Sequence, residues 1–228
     1  MITAPIQIIP TGDGSHTLFN PSLDETYHSR HGAIAESKHV FIEHGLKALP
    51  KKTGPIRILE IGLGTGLNAF LTALVAEKMQ LQVSYTALET FPVPLKITDQ
   101  LNYPDILGGQ ELFDAIHRAE WGIPVPVGSH FSLTKNRLSI DDYVPLQNSF
   151  DLIYFDAFAP GKQPEIWEKT VLEKMHTTLD ANGILVTYCA QGQFRRDLIS
   201  CGFVVEELEG PPGKWEMTRG EKTVSSEQ

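Results

Sequence analysis

The sequence predicts an α/β fold in which a mostly parallel sheet is covered by helices on both faces. From position 56 onward, short apolar runs of strand length alternate with helical segments of about 10 to 15 residues, as in strand–helix–strand units. A glycine-rich turn joins the first of these strands directly to the first helix. The 228-residue chain has 41% hydrophobic residues and a formal charge of −9, from 19 Lys and Arg against 28 Asp and Glu. Such a chain can bury one sizeable core and is not disordered.

The chain is expected to form one folded domain with two less regular ends. Residues 1–30 mix short strand-like runs with Pro and Gly and are predicted to be an N-terminal extension. Residues 31–219 are predicted to form the domain, and the polar residues 220–228 are predicted to form a flexible tail.

Composition also excludes several classes of protein. The longest uncharged apolar stretch, residues 69–76, is far shorter than the roughly 20 residues of a membrane helix, so no membrane span is expected. No Lys or Arg precedes an apolar segment at the N-terminus, so we expect no signal peptide and a cytoplasmic location. Cys189 and Cys201 are too few for a disulfide framework or a complete zinc site, and the histidines lack metal-site spacing. We therefore expect reduced thiols and no metal.

The hydrophobic pattern assigns each element in turn. It predicts strand-like runs at 6–9 and 17–19 and a helix at 33–49, which ends before Pro50. Further strands are predicted at 56–61, 83–88, 150–155, 184–188, 203–208 and 215–218, and helices at 66–79, 94–101, 110–118, 164–179 and 194–200. A hairpin is predicted between 130–133 and 137–140, turning at Lys135 and Asn136.

The turn after strand 56–61 contains Glu60, Gly62, Gly64 and Gly66. In parallel sheets ligands bind beyond the carboxyl ends of strands, and glycines let the backbone bend sharply and approach a ligand. A P-loop would need Lys followed by Ser or Thr, and a dinucleotide site would need a third glycine where Leu67 stands. The remaining pattern, acid-x-G-x-G-x-G, is typical of S-adenosylmethionine-dependent methyltransferases, so we predict that these residues bind that cofactor. A glycine-rich turn without a ligand is the open alternative.

Further acids follow other predicted strands. Glu89 ends strand 83–88, where an acid about 20 residues after the glycine turn accepts hydrogen bonds from ribose hydroxyls. Asp141 or Asp142 follows the predicted strand 137–140 and is expected near the adenine. The alternatives are a solvated surface acid for Glu89 and a helix cap for the Asp141–Asp142 pair.

The segment FDAFAPGKQPEIW, residues 155–167, is the most distinctive part of the chain. Asp156 follows strand 150–155, which places it at the same sheet edge as Gly62 and Glu89. An Asp-x-x-x-Pro loop here resembles the loop that holds the nucleophile in amino-methylating enzymes. We predict that Asp156 orients an N–H group and accepts its proton, between aromatic walls such as Phe158 and Tyr27. A turn-forming Asp is the alternative.

Together, GLGTGLNAF, LETFP, FDAFAPGKQPEIW and GKWEM resemble the methyltransferase domain of the bacterial tRNA-modifying MnmC family, in order from about Asp24 to Arg219. The resemblance implies a class I S-adenosylmethionine-dependent methyltransferase fold, which is Rossmann-like. It also implies methyl transfer to the aminomethyl nitrogen on carbon 5 of a tRNA wobble uridine, giving 5-methylaminomethyl-(2-thio)uridine. Two-domain members carry a flavin-dependent oxidoreductase that makes the amine. Since this sequence ends at Gln228, we expect the stand-alone transferase, with separate enzymes generating the aminomethyl group.

The resemblance also assigns residues. It implies a cofactor loop of Gly62, Gly64, Gly66 and Asn68, a ribose contact at Glu89, an adenine contact at Asp142, and an active-site acid at Asp156. The segment Tyr27-His28-Ser29, with Gly32 and Glu36, resembles more weakly the segment beside the methyl-transfer pocket. Substrate contacts are predicted for Tyr27, His28, Phe158, Pro160 and Lys162.

An alternative function is a small-molecule amine methyltransferase or an aminopropyltransferase-like enzyme, which the acidic net charge favours. The position of the basic residues discriminates between the two functions. A tRNA-binding enzyme is expected to gather them on one rim of the pocket, from Lys162, Arg195, Arg196, Lys214 and Arg219.

Overall fold

The computed structural model describes residues 5–144 and 146–223. A small antiparallel sheet is formed by β1 (Gln7–Pro10), β2 (His16–Asn20) and β3 (Glu25–Thr26). The main sheet contains β4 (Ile56–Ile61), β5 (Val83–Leu88), β6 (Pro124–Pro126), β7 (Phe131–Asn136), β8 (Phe150–Phe155), β9 (Leu179–Thr187), β10 (Val204–Glu209) and β11 (Glu216–Glu221). The helices are α1 (Ala33–Ser37), α2 (Leu67–Met79), α3 (Leu95–Thr98), α4 (Tyr103–Leu107), α5 (Gln110–Arg118), α6 (Lys169–Thr178) and α7 (Gly192–Ser200).

The order of the main sheet is β10-β11-β9-β8-β4-β5-β7-β6. Its five central strands, from β9 to β7, are parallel, and β10, β11 and β6 join the sheet through antiparallel pairings. The chain runs from β4 through β5 to β7 on one side and then returns to β8 on the other side of β4. The order therefore reverses between β4 and β8, where Ile61 pairs with Phe155, and a ligand cleft is expected beyond this pair.

Both faces of the sheet are covered, as the sequence predicted. Apolar residues of α2 and α5, such as Phe70 and Phe113, pack on one face together with Ile58. Residues of α6 and α7, such as Leu172, pack on the other face with Leu59. All six residues of β8 are buried; five of them are apolar or aromatic, and the sixth, Asp151, pairs with Lys52 and Arg57.

The predicted hairpin at 130–140 is wrong. Residues 131–136 form one continuous strand, β7, whose antiparallel partner is β6 and not residues 137–140. Lys135 lies inside this strand and is 1% exposed. Its Nζ donates to the carbonyl oxygens of Ile116 and His117, at 2.9 and 2.8 Å, at the end of α5. A lysine that caps a distant helix has the same local sequence signal as a lysine in a turn.

Three predicted element boundaries also need correction. The helix at 33–49 divides into α1, a π-helical turn at Lys38–Glu43 and a 3₁₀ turn at Leu46–Ala48. The helix at 164–179 divides at Glu168, whose backbone is extended, into a 3₁₀ turn at Pro164–Trp167 and α6. The last strand continues to Glu221 because Gly220 and Glu221 pair with β9, so the predicted tail begins too early. Residues 224–228 of that tail lie outside the described residues.

Within the described ranges, no helix is long and apolar enough to span a membrane.

Candidate active site

A cavity of about 1050 Å³ lies at the carboxyl edge of β4, β5 and β8, where the strand order reverses. The glycine turn and the Asp156 loop form its floor, and the segment from β2 to α1 covers one side. Residues predicted to be an N-terminal extension therefore form part of the cavity wall. The lining includes Asn20, Glu25, Tyr27, His28, Glu36, Gly62, Gly64, Glu89, Phe91, Ile140, Asp141, Asp156, Phe158, Tyr188 and Lys214.

The glycine turn has little room for side chains. Gly62 has a φ of 89°, and a Cβ there would lie 2.7 Å from the carbonyl oxygen of Asp156. Gly64 has a φ of 51°, and its Cβ would lie 3.0 Å from the ring of Tyr27. Because both residues line the cavity, their bare backbone is open to a ligand. Gly66 is the N-cap of α2 and, like Asn68, lies behind the lining residues.

Glu89 is fixed at the cavity wall by two backbone amides. Its Oε2 accepts from the amide of Gly64 at 2.9 Å, and its Oε1 accepts from the amide of Phe91 at 2.8 Å. A carboxylate has about four acceptor positions, so two remain for further donors. This carboxylate can accept hydrogen bonds from a ribose while it holds the glycine turn in place.

The two candidate adenine contacts, Asp141 and Asp142, differ in their position relative to the cavity. Asp141 lines the cavity next to Ile140. Asp142 lies outside the lining, and its Oδ2 accepts a hydrogen bond from Ser139 Oγ at 2.8 Å. The structure therefore brings Asp141 to the cavity and does not bring Asp142 there.

Asp156 lies on the cavity floor next to the glycine turn. Its Oδ2 accepts from Asn68 Nδ2 at 2.7 Å. Burial raises the pKa of Asp156 to about 7, the charge of Glu36 adds to this shift, and the Asn68 hydrogen bond and the charge of Lys214 oppose it. A carboxyl group with this pKa can both accept and release a proton near neutral pH.

Glu60 is in a different position from the one predicted. It is fully buried within β4, and burial raises its pKa well above the ordinary value. Neither of its side-chain oxygens has a hydrogen-bond partner among the described residues. Glu60 does not line the cavity, so the structure places it behind the glycine turn and not at the cavity wall.

Three predicted substrate contacts, Tyr27, His28 and Phe158, line the cavity. The rings of Tyr27 and Phe158 meet edge to face with centroids 4.9 Å apart. Burial, followed by the charge of Glu89, raises the pKa of Tyr27 to about 12. Burial lowers the pKa of His28 to about 4, so its ring is neutral, and its Nε2 lies 2.7 Å from Thr65 Oγ1.

The other two predicted contacts do not line the cavity. Pro160 and Lys162 lie further along the loop, and Lys162 Nζ is 3.9 Å from a carboxylate oxygen of Asp24. The predicted basic rim does not form in the described part of the chain. Arg195 is 8% exposed and pairs with Glu207 and Glu216 on the β10–β11 side, Arg219 pairs with Glu206, and Arg196 bonds to Gln193.

Three more cavity residues have a different standing: the sequence predicted Lys214 for a phosphate-binding rim, placed Glu36 beside the pocket only through a weak resemblance, and did not single out Tyr188. Glu36 of α1 is 5% exposed, and its Oε1 accepts from Lys214 Nζ at 2.5 Å. Lys214 Nζ also lies 3.8 Å from the ring centroid of Tyr188, which directly follows β9. Tyr188 could have been found from its position at the carboxyl end of a parallel strand. Of the five residues predicted for the basic rim, Lys214 alone lines the cavity, and it pairs there with Glu36.

Comparison with known proteins agrees with this geometry. Residues 134–223 match the family described as S-adenosyl-L-methionine-dependent methyltransferase. The bifunctional tRNA 5-methylaminomethyl-2-thiouridine biosynthesis protein MnmC of Cupriavidus necator is 31% identical over 88% of this chain, and that of Marinomonas sp. is 30% identical over 90%. The chain spans about a third of the length of these curated relatives, 32% in each case.

Two solved structures are also similar to this chain. The crystal structure of MNMC2 from Aquifex aeolicus has a TM-score of 0.76 and 27% identity, covering 97% of this chain and 71% of that one. Spermidine synthase from Thermotoga maritima has a TM-score of 0.58 and 13% identity, covering 96% and 74%, which shows a shared fold. The chain is therefore similar over most of its length to the methyltransferase portion of the MnmC proteins, and its fold is that of S-adenosyl-L-methionine-dependent methyltransferases.

Proposed function

We propose that this chain methylates the primary amine of a 5-aminomethyl-(2-thio)uridine at the wobble position of tRNA, giving 5-methylaminomethyl-(2-thio)uridine. The names of the MnmC relatives support the substrate. The observation that carries the chemistry is Asp156, a carboxyl group with a pKa of about 7 on the floor of a cavity with aromatic walls.

One side of the cavity, the cofactor half, consists of the glycine turn, Glu89 and Asp141. In this proposal the backbone at Gly62 and Gly64 lies against the cofactor, Glu89 accepts its ribose hydroxyls, and Asp141 lies by the adenine. The described residues fit such a ligand, because Gly62 and Gly64 line the cavity with backbone alone and Glu89 has free acceptor positions. When bound, S-adenosyl-L-methionine supplies an electrophilic methyl group.

The other side, the amine half, consists of Glu36, Tyr188 and Lys214, with Asp156 at the boundary between the halves. An alkylamine has a pKa near that of Lys, about 10.4, so it arrives as an ammonium and must lose a proton before it can react. Asp156 orients one N–H group and accepts that proton. Tyr27 and Phe158 exclude water, which lowers the free-energy cost of the neutral amine.

Since the amine is the substrate of this step, the aminomethyl group has to be formed before it. We propose that other enzymes form it.

Methyl transfer to tRNA tests the proposal directly. The protein is incubated with S-adenosyl-L-methionine and tRNA that carries 5-aminomethyl-2-thiouridine, and the nucleosides are analysed by mass spectrometry. We expect one added methyl group on the wobble nucleoside and none on tRNA that lacks the aminomethyl group. A lack of transfer to the aminomethyl tRNA would refute the proposed substrate.

A second candidate function is methylation of a small amine. The observation that favours it is the pairing of Arg195 and Arg219 with acids, which leaves no basic rim among these residues for RNA phosphates. The free aminomethyl nucleoside serves as the test substrate. A kcat/KM for the nucleoside equal to that for the tRNA would favour this second function, whereas a strong preference for tRNA would exclude it.

A further inference from the structure

The amine half of the cavity contains an ammonium group that belongs to the chain itself. Lys214 Nζ donates to Glu36 Oε1 at 2.5 Å and lies 3.8 Å from the ring centroid of Tyr188. The other oxygen of Glu36 accepts from the backbone amide of Ser29 at 2.7 Å, which fixes the carboxylate. Glu36, Tyr188 and Lys214 all line the cavity that contains Asp156.

These partners are those by which proteins bind a primary ammonium. A carboxylate gives a charge-assisted hydrogen bond, and the face of an aromatic ring attracts the same cation. Glu36 is 5% exposed, so a cation that pairs with it is largely shielded from water. Tyr188 is held in place because its hydroxyl donates to the carbonyl oxygen of Ala157 at 2.8 Å, next to Asp156.

We propose that Glu36 and Tyr188 form the subsite for the primary ammonium of the substrate, and that Lys214 occupies this subsite until the substrate displaces it. This inference deepens the proposed function and rests on it. The substrate ammonium binds at Glu36 in its charged form. It then passes one proton to the neighbouring carboxylate of Asp156, which leaves a neutral amine and a protonated Asp156.

Lys214 is attached in a way that permits such an exchange. It lies in the connection between β10 and β11, directly before Trp215, which is 95% exposed. Its backbone amide donates to the carbonyl oxygen of Pro211, so the turn itself does not depend on the Glu36 contact. A different role for Lys214 would be that of a permanent cation that lowers the pKa of the substrate amine. Both roles predict tighter ammonium binding when the charge of Lys214 is removed, but they predict opposite effects on methyl transfer: loss of a competitor raises kcat/KM for aminomethyl tRNA, whereas loss of a cation that favours the neutral amine lowers it. The kcat/KM of Lys214→Met is therefore measured beside its amine affinity, and a lower value than that of the wild type would overturn the inference.

The test measures binding of propylammonium by calorimetry to protein saturated with S-adenosylhomocysteine, with 1-propanol as the uncharged probe of similar size. If Lys214 competes for the subsite, Lys214→Met should bind propylammonium about three- to tenfold more tightly than the wild type, because the competing occupant is gone. Glu36→Gln should weaken binding by on the order of tenfold or more. The affinity for 1-propanol should not change.

Matched controls are available on the protein surface. Lys47 and Glu43 form an exposed ion pair, with Nζ and Oε1 2.7 Å apart, and neither residue lines the cavity. Lys47→Met and Glu43→Gln therefore remove the same groups without touching the subsite and should leave the affinity for propylammonium unchanged. Thermal denaturation establishes that each variant is folded.

Equal or weaker binding of propylammonium to Lys214→Met would overturn the inference, as would a lack of binding to every variant. If Lys214→Met does not fold, Glu36→Gln and Tyr188→Leu decide the question, because unchanged affinity in both also overturns it. Transfer to aminomethyl tRNA by the wild type is measured in parallel. Failure of that transfer, with amine binding as expected, counts against the proposed tRNA substrate and not against the subsite.

Discussion

The two halves of the cavity are built in different ways. In the cofactor half, Gly62 and Glu89 directly follow the parallel strands β4 and β5, and short sequence motifs hold them in place. Glu89, for example, is fixed by amides only 2 and 25 residues away along the chain. In the amine half, Glu36 and Lys214 are 178 residues apart and meet through the tertiary structure alone.

This difference reflects the different requirements of cofactor binding and of amine recognition. A cofactor shared by many enzymes can be held by backbone and by one acid at a strand end, which any parallel sheet supplies at the same edge. Recognition of a particular amine needs shielded charges, and these are stable only when several distant segments cover and pair them. The following predictions test whether the halves act separately, from the largest expected effect to the smallest.

Asp156→Asn is expected to have the largest effect. It removes the proton acceptor but keeps an oxygen that can accept from Asn68, so the rate of methyl transfer should fall about 10²- to 10⁴-fold. Cofactor affinity should change little, because the variant leaves Glu89 and the glycine turn intact. Single-turnover rates and calorimetry of S-adenosylhomocysteine measure the two effects. A near-normal rate would exclude Asp156 as the proton acceptor, and a main effect on cofactor affinity would move it into the cofactor half.

Glu89→Ala should show the opposite pattern. Loss of a charged acceptor for the ribose hydroxyls should cost on the order of 1.5 to 3 kcal/mol in cofactor binding, or about 10- to 100-fold in Kd. The affinity for propylammonium should stay close to that of the wild type, because Glu89 lies outside the amine half. Calorimetry with both ligands measures this separation. An unaltered cofactor Kd would return Glu89 to the role of a solvated surface acid.

The raised pKa of Asp156 also predicts how stability depends on pH. The native pKa of about 7 exceeds the ordinary value of 3.8, so the native state binds this proton more tightly than the unfolded state does. The stability of the wild type should therefore be full below pH 4 and decline as the pH rises through 7. Asp156→Asn lacks this ionisation and should be more stable than the wild type at pH 8 by about 4 kcal/mol, with little difference near pH 4. Urea denaturation at both pH values measures the effect, and an equal difference at both would refute the pKa shift.

Substitutions of Asp141 and Asp142 are expected to have the smallest effects on cofactor affinity. Comparing the two variants tests which of these neighbouring acids contacts the cofactor. Asp141→Asn changes a cavity-lining acid that is exposed, so cofactor affinity should fall by at most about 1 kcal/mol. Asp142→Asn changes a side chain that bonds to Ser139 outside the lining, so cofactor affinity should not change. Calorimetry of both variants checks this. A larger loss for Asp142 would show that the loop rearranges when the cofactor binds.

Sequence reasoning succeeded where a signal is local. The strands at 56–61, 83–88 and 150–155 were predicted with the bounds that the structure has, because short, mostly apolar runs between turn residues are typical of buried parallel strands. The hairpin at 130–140 failed because Lys135 is buried only through carbonyl groups at the end of a helix almost 20 residues away. The basic rim failed for a similar reason, since the burial of Arg195 depends on Glu216 and Thr218 across the sheet.

The parallel sheet, the glycine turn and the sheet edge where Glu89 and Asp156 lie all follow from the sequence. They do so because the carboxyl ends of parallel strands meet at one edge whatever surrounds them. Three other features became known from the packing of the folded chain: Glu60 is buried behind the turn, Asp141 and not Asp142 lines the cavity, and Glu36 pairs with Lys214. Burial and ion pairing depend on which distant segments pack together, and a residue's neighbours in sequence do not record this.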